Sequence, residues 1–333
     1  MSDWDDMLAE FRALGGTAEN ICLRDGLYGR GLFPVDATRP VAIRIPDNLL
    51  LDMADATFEN GAFRVAAKST MGAREKAFIE NYENLFSWNG GGRAEIERIF
   101  AQAQALPKAL RQELRTAHHC GSWFDDDIPE RTIQEKFISS RYITYKDRTV
   151  VMPIVELANH GKGASYETAD GVALRGTFPG EVLVRYSNSD PYAMFLSWGF
   201  ATEQPQAMSI ALNGSIGQTG LKIGRDLAEL KPDERAWMPK LARDAGGVEL
   251  TFLVIGNQQY PRLCKGVFYK LMRDAGLAGF EEAFDSIQHI NRMHFLALLA
   301  ALDQVTGPMA VTLRRMARFQ LQAMSYCYGV RAV

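Results

Sequence analysis

The 333-residue sequence predicts an α+β fold: a β-rich unit with a helical insertion, followed by a mostly α-helical C-terminal region. Three observations predict it. Short apolar runs closed by glycine, proline or asparagine occur near the start and return around VVMPIVELANHGKG, GVALRG and EVLVRYS. Between them, residues 72–118 change to charged sequence with helical periodicity. After about residue 215 most segments carry apolar stripes at i, i+3 and i+4. The expected division is residues 1–215, with the insertion at about 70–130, and residues 216–333 as a helical C-terminal domain.

In order along the chain, Ser2 or Asp3 caps a first helix, with Trp4, Met7, Leu8, Phe11 and Leu14 on one face and Gly15-Gly16 as its stop. ENICLRDGLYGRGLFPV, broken by Gly26, Gly29 and Gly31, reads as a hairpin or tight bend. VAIRI (41–45) alternates and meets Pro46, a strand and its end. AREKAFIENYENLFSW and AEIERIFAQAQALPKALRQELRTA read as helices. The Gly90–Gly92 run between them lacks the lysine and strand–helix context of a phosphate loop and reads as a flexible linker. Asp125–Asp127 and Pro129 mark a loop, and a helix through TIQEKFISSRYI follows. TVVMPIVELA reads as a buried strand finishing on Asn159-His160, with GVALRG and EVLVRYS as further strands. PYAMFLSW is helical and ends at Gly199. PDERAWMPKLARDAG, PRLCKGVFYKLMRDAG, FEEAFDSIQHINRMHFLALLAALDQV and MAVTLRRMARFQLQAMSYCY read as helices, and GGVELTFLVIG as a strand or buried extended segment. No internal repeat or low-complexity tract occurs.

A hydrophobic content of 47% is enough for a sizeable core. Thirty-seven basic against forty acidic residues, a net charge of −3, offer no field for nucleic-acid binding. The four cysteines are scattered without a CxxC pair, which argues against a zinc site and for a reducing compartment. His118-His119-Cys120, ahead of Asp125–Asp127, reads as a solvated helix end, because adjacent histidines on a helix point apart; no metal is expected. MSDWDDMLAEF lacks the apolar core of a signal peptide, and no apolar run is long enough to span a bilayer, so a cytoplasmic protein without a membrane partner is expected.

The chemistry-bearing residues are few. An amide and an imidazole at the apolar edge formed by Asn159-His160 must bond to backbone or to a ligand. Gly29-Arg30-Gly31 lets backbone approach a ligand or simply bends the chain; a dinucleotide fingerprint is excluded because Pro34 follows and no helix opens. Tyr186 stands at the end of a strand before a polar turn. No Ser/His/Asp order, Cys/His pair or HExxH accompanies them.

Taken in order, these motifs resemble the SET-domain methyltransferases, within them the Rubisco large-subunit lysine methyltransferase branch that also contains the actin-histidine methyltransferase. GRGLFPV followed by IRIPDNLLL resembles the family's first motif. Ser140-Arg141 in FISSRYI, PIVELANH, and GEVLVRYSNSDPYAMFLSWGF follow in the family's order over about residues 20–205. The resemblance implies a pseudoknot through the Asn159-His160 segment and S-adenosylmethionine (SAM) as cofactor. Gly29, Arg30, Gly31 and Leu32 would approach it with backbone atoms, and Ser140, Arg141, Asn159 and His160 would complete its pocket. Tyr186 would be the catalytic tyrosine lining the methyl-transfer channel, with Glu156 and Trp198 beside it toward the substrate. The implied activity is SAM-dependent N-methylation of a protein side chain, lysine first, with histidine or a non-catalytic peptide-binding module as alternatives. The implied role of the C-terminal helices is substrate recruitment.

Three positions depart from the family pattern. Glu156 stands in place of aspartate, Trp198 in place of the lysine enzyme's tyrosine, and Ser189-Asp190-Pro191-Tyr192 in place of an S-N-A-E turn. Neutral histidine needs less deprotonation than lysine, which keeps a histidine acceptor open.

Overall fold

A computed structural model describes residues 3–116, 121–225, 238–244 and 246–327. The chain forms two compact units. The first comprises Met1–Arg98 and Asp127–Tyr186, the second Ile99–Asp126 and Ser187–Val333.

In the first unit the helix Asp3–Ala13 buries Trp4, Met7, Leu8 and Phe11, the stripe its spacing dictates. Gly16 has no side chain because a Cβ there would lie 2.5 Å from the Phe11 ring. Small sheets follow. Val41–Ile45 is the central strand between Thr17–Glu19 and Val172–Gly176, antiparallel to both, and its alternating burial matches the VAIRI pattern. Arg148–Val151 lies between Leu51–Asp52 and Tyr142–Tyr145. Ile21–Gly26 and Gly29–Pro34 form a hairpin whose two-residue turn is Leu27-Tyr28, with Gly29 at φ +93°.

The insertion begins with the helix Ala73–Tyr82 and runs on through wide, π-type turns at Glu83–Gly92 into Arg93–Gln104. The glycine run lies at a kink between two helical segments, since Gly91 departs from helical backbone geometry. Gly91, at φ +128°, absorbs the kink, and the Gly90 carbonyl accepts a hydrogen bond from the Arg30 guanidinium. Trp88 anchors this path. Its ring packs 4.7 Å from Phe58 and 4.9 Å from Phe137, and its indole N–H donates to the Gly61 carbonyl at 2.9 Å.

Strand Arg148–Val151 stops well short of Asn159-His160. Pro153 cannot continue a ladder. Ile154 then adopts φ 68°, ψ −62°, and the Val155 N–H donates back to the Pro153 carbonyl at 2.8 Å. This is a γ-turn of the rare positive-φ kind, at a fully buried β-branched residue. Such a conformation costs about 1–3 kcal/mol. The chain reverses there, makes one 3₁₀ turn over Val155–Leu157, and Asn159–Ala164 opens a separate strand.

The second unit holds more strand than its helical stripes suggest. Leu212–Ile216, Thr219–Ile223, Gly247–Leu250 and Leu241–Arg243 form a four-stranded sheet in that order, and Gln206–Met208 pairs with Val254–Asn257. The helical run begins only at Leu263, with Leu263–Asp274, Ala283–Ala301 and Pro308–Met324. The first part of the segment PDERAWMPKLARDAG, residues 232–237 with Trp237, lies outside the described residues, and Leu241–Arg243 within it is a strand because it pairs with Gly247–Leu250. His118, His119 and Cys120 also lie outside the described residues. Phe268 and Phe295 are fully buried core residues. Tyr269, half-buried, donates its hydroxyl to the Glu281 carbonyl at 2.6 Å.

The turn at Asp190-Pro191 is a helix start. Asp190 caps Pro191–Trp198 by accepting from the Ala193 N–H at 2.9 Å, and Pro191 occupies the position where an amide would have no partner. The same carboxylate accepts from the Met208 N–H, Arg225 and Gln320 at 3.0, 2.7 and 2.8 Å. Gly199 closes the helix in the left-handed conformation, φ 72°.

Candidate active site

The site grows from the strand Asn159–Ala164, which runs parallel to Leu183–Val184 with a register shift between His160 and Ala164. The glycines after His160 follow from that pairing. A Cβ on Gly163 would lie 1.8 Å from the Leu183 carbonyl oxygen, and one on Gly161 would lie 2.7 Å from the Leu183 side chain. Only a backbone without side chains lets the two strands pass so closely. The Arg185 N–H then donates to the Ala164 carbonyl at 2.9 Å and fixes the approach.

Asn159 joins three segments. Its amide N–H donates to Glu181 Oε1 at 2.6 Å and to the Arg30 carbonyl at 3.2 Å. Gly31 lies beneath both groups; a Cβ there would be 2.4 Å from Glu181 Oε1 and 2.6 Å from Asn159 Nδ2. The buried Leu32 accepts at its carbonyl from the Val182 N–H at 2.8 Å. The glycine strand near the amino end and the amide–imidazole pair in mid-chain thus meet, with Glu181 between them.

His160 and Tyr186 face each other with ring centroids 5.2 Å apart. The Tyr186 backbone N–H donates to His160 Nδ1 at 3.3 Å, which requires that nitrogen to be unprotonated. Burial, with the Arg185 charge adding to it, lowers the imidazole pKa to about 4, so the ring is neutral at physiological pH. The Tyr186 hydroxyl donates to the Ala158 carbonyl at 3.0 Å, and burial holds its pKa above the ordinary tyrosine value. Its proton is donated to the backbone, and its oxygen can in addition accept.

Ser140 and Arg141 follow the helix Glu130–Ser139. Arg141 Nη1 donates to Ser140 Oγ at 2.7 Å, its Nε lies 3.3 Å from Glu156 Oε2, and its guanidinium stacks 4.2 Å from the Phe137 ring centroid. Nη2 makes no hydrogen bond among the described residues. Glu156 has no exposed side-chain surface and accepts the Tyr82 hydroxyl at 2.8 Å. Its carboxylate is therefore turned toward Arg141 and Tyr82. Trp198 ends the helix Pro191–Trp198 of the second unit, with its ring 6.4 Å from Phe200.

Sequence reasoning singled out Gly31, Asn159, His160 and Tyr186, which the fold brings together in one unit. It passed over Glu181, Tyr82, Glu83, Ser87 and Tyr166. Glu181 stands in the GE pair opening GEVLVRY, so a signal for it was present. Tyr82 and Glu83 lie in a charged helical stretch where periodicity cannot mark an inward-facing polar residue. Among the described residues no group of three His, Cys, Asp or Glu side chains is placed to hold a metal ion, and no helix is long and apolar enough to cross a membrane.

No protein-family model matches the chain, and no curated protein matches it. Solved structures do. One is a crystal structure of the SET domain of LSMT bound to lysine and AdoHcy: 15% identity, 96% of this chain and 90% of that chain covered, TM-score 0.44. A structure of Rubisco LSMT bound to AdoMet is similar at 14% identity, with the same coverages and a TM-score of 0.45. A third, of Rubisco LSMT bound to sinefungin and monomethyllysine, has 15% identity, coverages of 97% and 90%, and a TM-score of 0.41.

Proposed function

We propose that this chain is a SET-domain methyltransferase of the Rubisco large-subunit methyltransferase-like branch. In this reading it N-methylates a protein side chain, lysine first, with SAM as donor. The observation that carries the proposal is the junction of Gly31 with Asn159 and Glu181, which joins the two motifs that the family resemblance assigns to one cofactor pocket.

The residues present fit SAM. Gly29–Leu32 presents backbone at a point where Gly31 has no room for a side chain. Arg141 Nη2, which makes no hydrogen bond among the described residues, suits a carboxylate. His160 offers a neutral ring beside Tyr186. We therefore assign Gly29, Arg30, Gly31, Leu32, Ser140, Arg141, Asn159 and His160 to cofactor binding. When bound, SAM supplies an electrophilic methyl on a sulfonium.

The protein's own task is then alignment and the exclusion of water. A lysine amine, with a pKa of about 10.4, loses its proton at pH 7 at a cost of roughly 4–5 kcal/mol, and an apolar aromatic channel lowers that cost by disfavouring the ammonium. Tyr186, with its proton held by the Ala158 carbonyl, orients the acceptor amine through its oxygen lone pairs. Glu156 shapes this end of the channel through Arg141 and Tyr82, and Trp198 is assigned to the substrate side. Residues 216–333 are assigned to substrate recruitment. The exposed Ile290 and Met293 on Ala283–Ala301, and Val311 on Pro308–Met324, support that role by offering apolar surface. Cys22, Cys264 and Cys327 form no disulfide, although Cys264 and Cys327 lie side by side, and this supports a reducing compartment, which we take to be the cytoplasm.

The test is incubation with methyl-labelled SAM and a cell lysate lacking the protein, followed by separation of protein from small molecules and hydrolysis of the protein fraction. Label in protein, released as methyl-lysine, is the expected result. Release as methyl-histidine moves the acceptor, and label confined to small molecules overturns the protein substrate.

A further inference from the structure

The cluster behind Arg141 contains more acid than base. Glu83 is fully buried, and among the described residues neither of its carboxyl oxygens has a hydrogen-bond partner. Glu156, also without exposed side-chain surface, has one oxygen bonded to the Tyr82 hydroxyl, while Oε2 lacks a hydrogen bond and has only its ion pair with Arg141. The Ser87 hydroxyl faces both carboxyls. Among the described residues Arg141 is the cation that acts on Glu83, so two buried carboxyls share one guanidinium there. A second buried negative charge would have no counter-charge, and several polar atoms would have no donor. A single proton meets both needs. It removes the surplus charge, and it gives the cluster a donor that an orphaned carboxylate oxygen can accept.

We propose that Glu83 takes up a proton from solvent on folding, stays a neutral carboxylic acid at neutral pH, and through that proton holds Glu156, and thereby Arg141, in position. Glu156 keeps the negative charge because it already has the guanidinium and the Tyr82 hydroxyl. The other titratable groups facing the pair do not compete. Burial holds Tyr82 neutral, and likewise Tyr166 and Tyr186 on the side of Glu156. Burial and the adjacent Glu156 charge both push Glu83 upward, in agreement with the charge count. Glu83 is a positioning residue. Its protonation stands on the packing alone, while its service to the cofactor rests on the methyltransferase reading.

The experiment compares Glu83→Gln with wild type from pH 5 to 8 by chemical denaturation. Protonated Glu83 binds a proton in the folded state that the unfolded chain releases above its ordinary carboxyl pKa. Wild-type stability therefore falls with rising pH relative to the variant. The ratio of folding equilibrium constants shifts toward Glu83→Gln by up to tenfold per pH unit. A ratio shifting toward wild type, as an ionised and ion-paired Glu83 requires, or a ratio flat with pH overturns the proposal. Infrared spectra of the wild type at pH 7 must also contain a protonated-carboxyl band; its absence overturns the proposal even if the variant does not fold.

Titration with SAM tests the positioning role. Glu83→Leu, which keeps the volume and removes the donor, weakens binding by tenfold or more, and Glu83→Gln restores most of it. Equal affinity in Leu and Gln variants removes that role. A folded wild type that does not bind SAM removes the methyltransferase reading and the positioning role with it, and leaves the stability ratio to decide the proton.

Discussion

Replacing Gly163 by alanine tests the threaded strand that supports the site. The new Cβ would lie 1.8 Å from the Leu183 carbonyl oxygen and 2.6 Å from its carbon. An ordinary carbon–oxygen contact is roughly 3.3 Å or more, so one backbone must retreat by about 1.5 Å. No rotamer change relieves this, because the obstacle is main chain. That retreat breaks the 2.9 Å bond from the Arg185 N–H to the Ala164 carbonyl and strains the 3.3 Å bond from the Tyr186 N–H to His160. Two hydrogen bonds at about 1 kcal/mol each, plus about 1–3 kcal/mol for overpacking, give about 3–5 kcal/mol. At about 2–4 °C per kcal/mol, the thermal midpoint falls by about 6–20 °C. Gly180→Ala is the control, since its Cβ meets nothing within 4 Å, and its midpoint should move by no more than about 2 °C. Thermal denaturation of both variants is the assay. Equal midpoints for Gly163→Ala, Gly180→Ala and wild type would refute the close parallel pairing of Asn159–Ala164 with Leu183–Val184.

Tyr186→Phe should slow methyl transfer on the order of 10²-fold while SAM affinity changes less than about threefold, as single-turnover and titration measurements would record; unchanged turnover removes Tyr186 from the chemistry. Asn159→Ala leaves Glu181 Oε1 without its 2.6 Å donor, a loss of about 1.5–3 kcal/mol that should appear as SAM binding weakened tenfold or more. Asp190→Ala strands the half-buried Arg225 and uncaps Pro191–Trp198, so denaturant titration should show a loss of about 3–5 kcal/mol. For His160, the folded pKa is depressed, so the unfolded chain binds more protons between its ordinary value and about 4. Stability should therefore fall as pH drops through that window and level off below it. His160→Gln should flatten this part of the stability–pH curve, and an unchanged slope would show that the imidazole is not held neutral.

The elements written as periodicity were legible in the sequence. The stripe of Asp3–Ala13, the VAIRI strand and the three last helices were found because burial on one face imposes a period. Their ends were less legible where tertiary geometry sets them. Nothing local announces that Ile154 takes a positive φ; a β-branched residue does so only because the surrounding core forces it, and that turn converts an apparent single strand ending on Asn159-His160 into two. GGVELTFLVIG was legible as extended and holds Gly247–Leu250 and most of Val254–Asn257, whereas Leu212–Ile216, Thr219–Ile223 and Leu241–Arg243 were hidden for a related reason. Leu241–Arg243 is extended because a neighbour offers hydrogen bonds, not because of its own composition. At the site, Gly31, Asn159, His160 and Tyr186 were found by motif. Glu181 was passed over although the GE pair of GEVLVRY marked it, and Tyr82 and Glu83 were not found because a residue's partner across the fold leaves no mark at its own position. Asp190-Pro191, which departs from the family's turn, is explained by the cap and the buried ion pair it makes.

Calorimetric titration of the folded protein with SAM tests the central claim most directly. One molecule bound per chain, with affinity reduced at least about tenfold by Asn159→Ala, is the predicted result. A cooperatively folded wild type that takes up no SAM at millimolar concentration would contradict it.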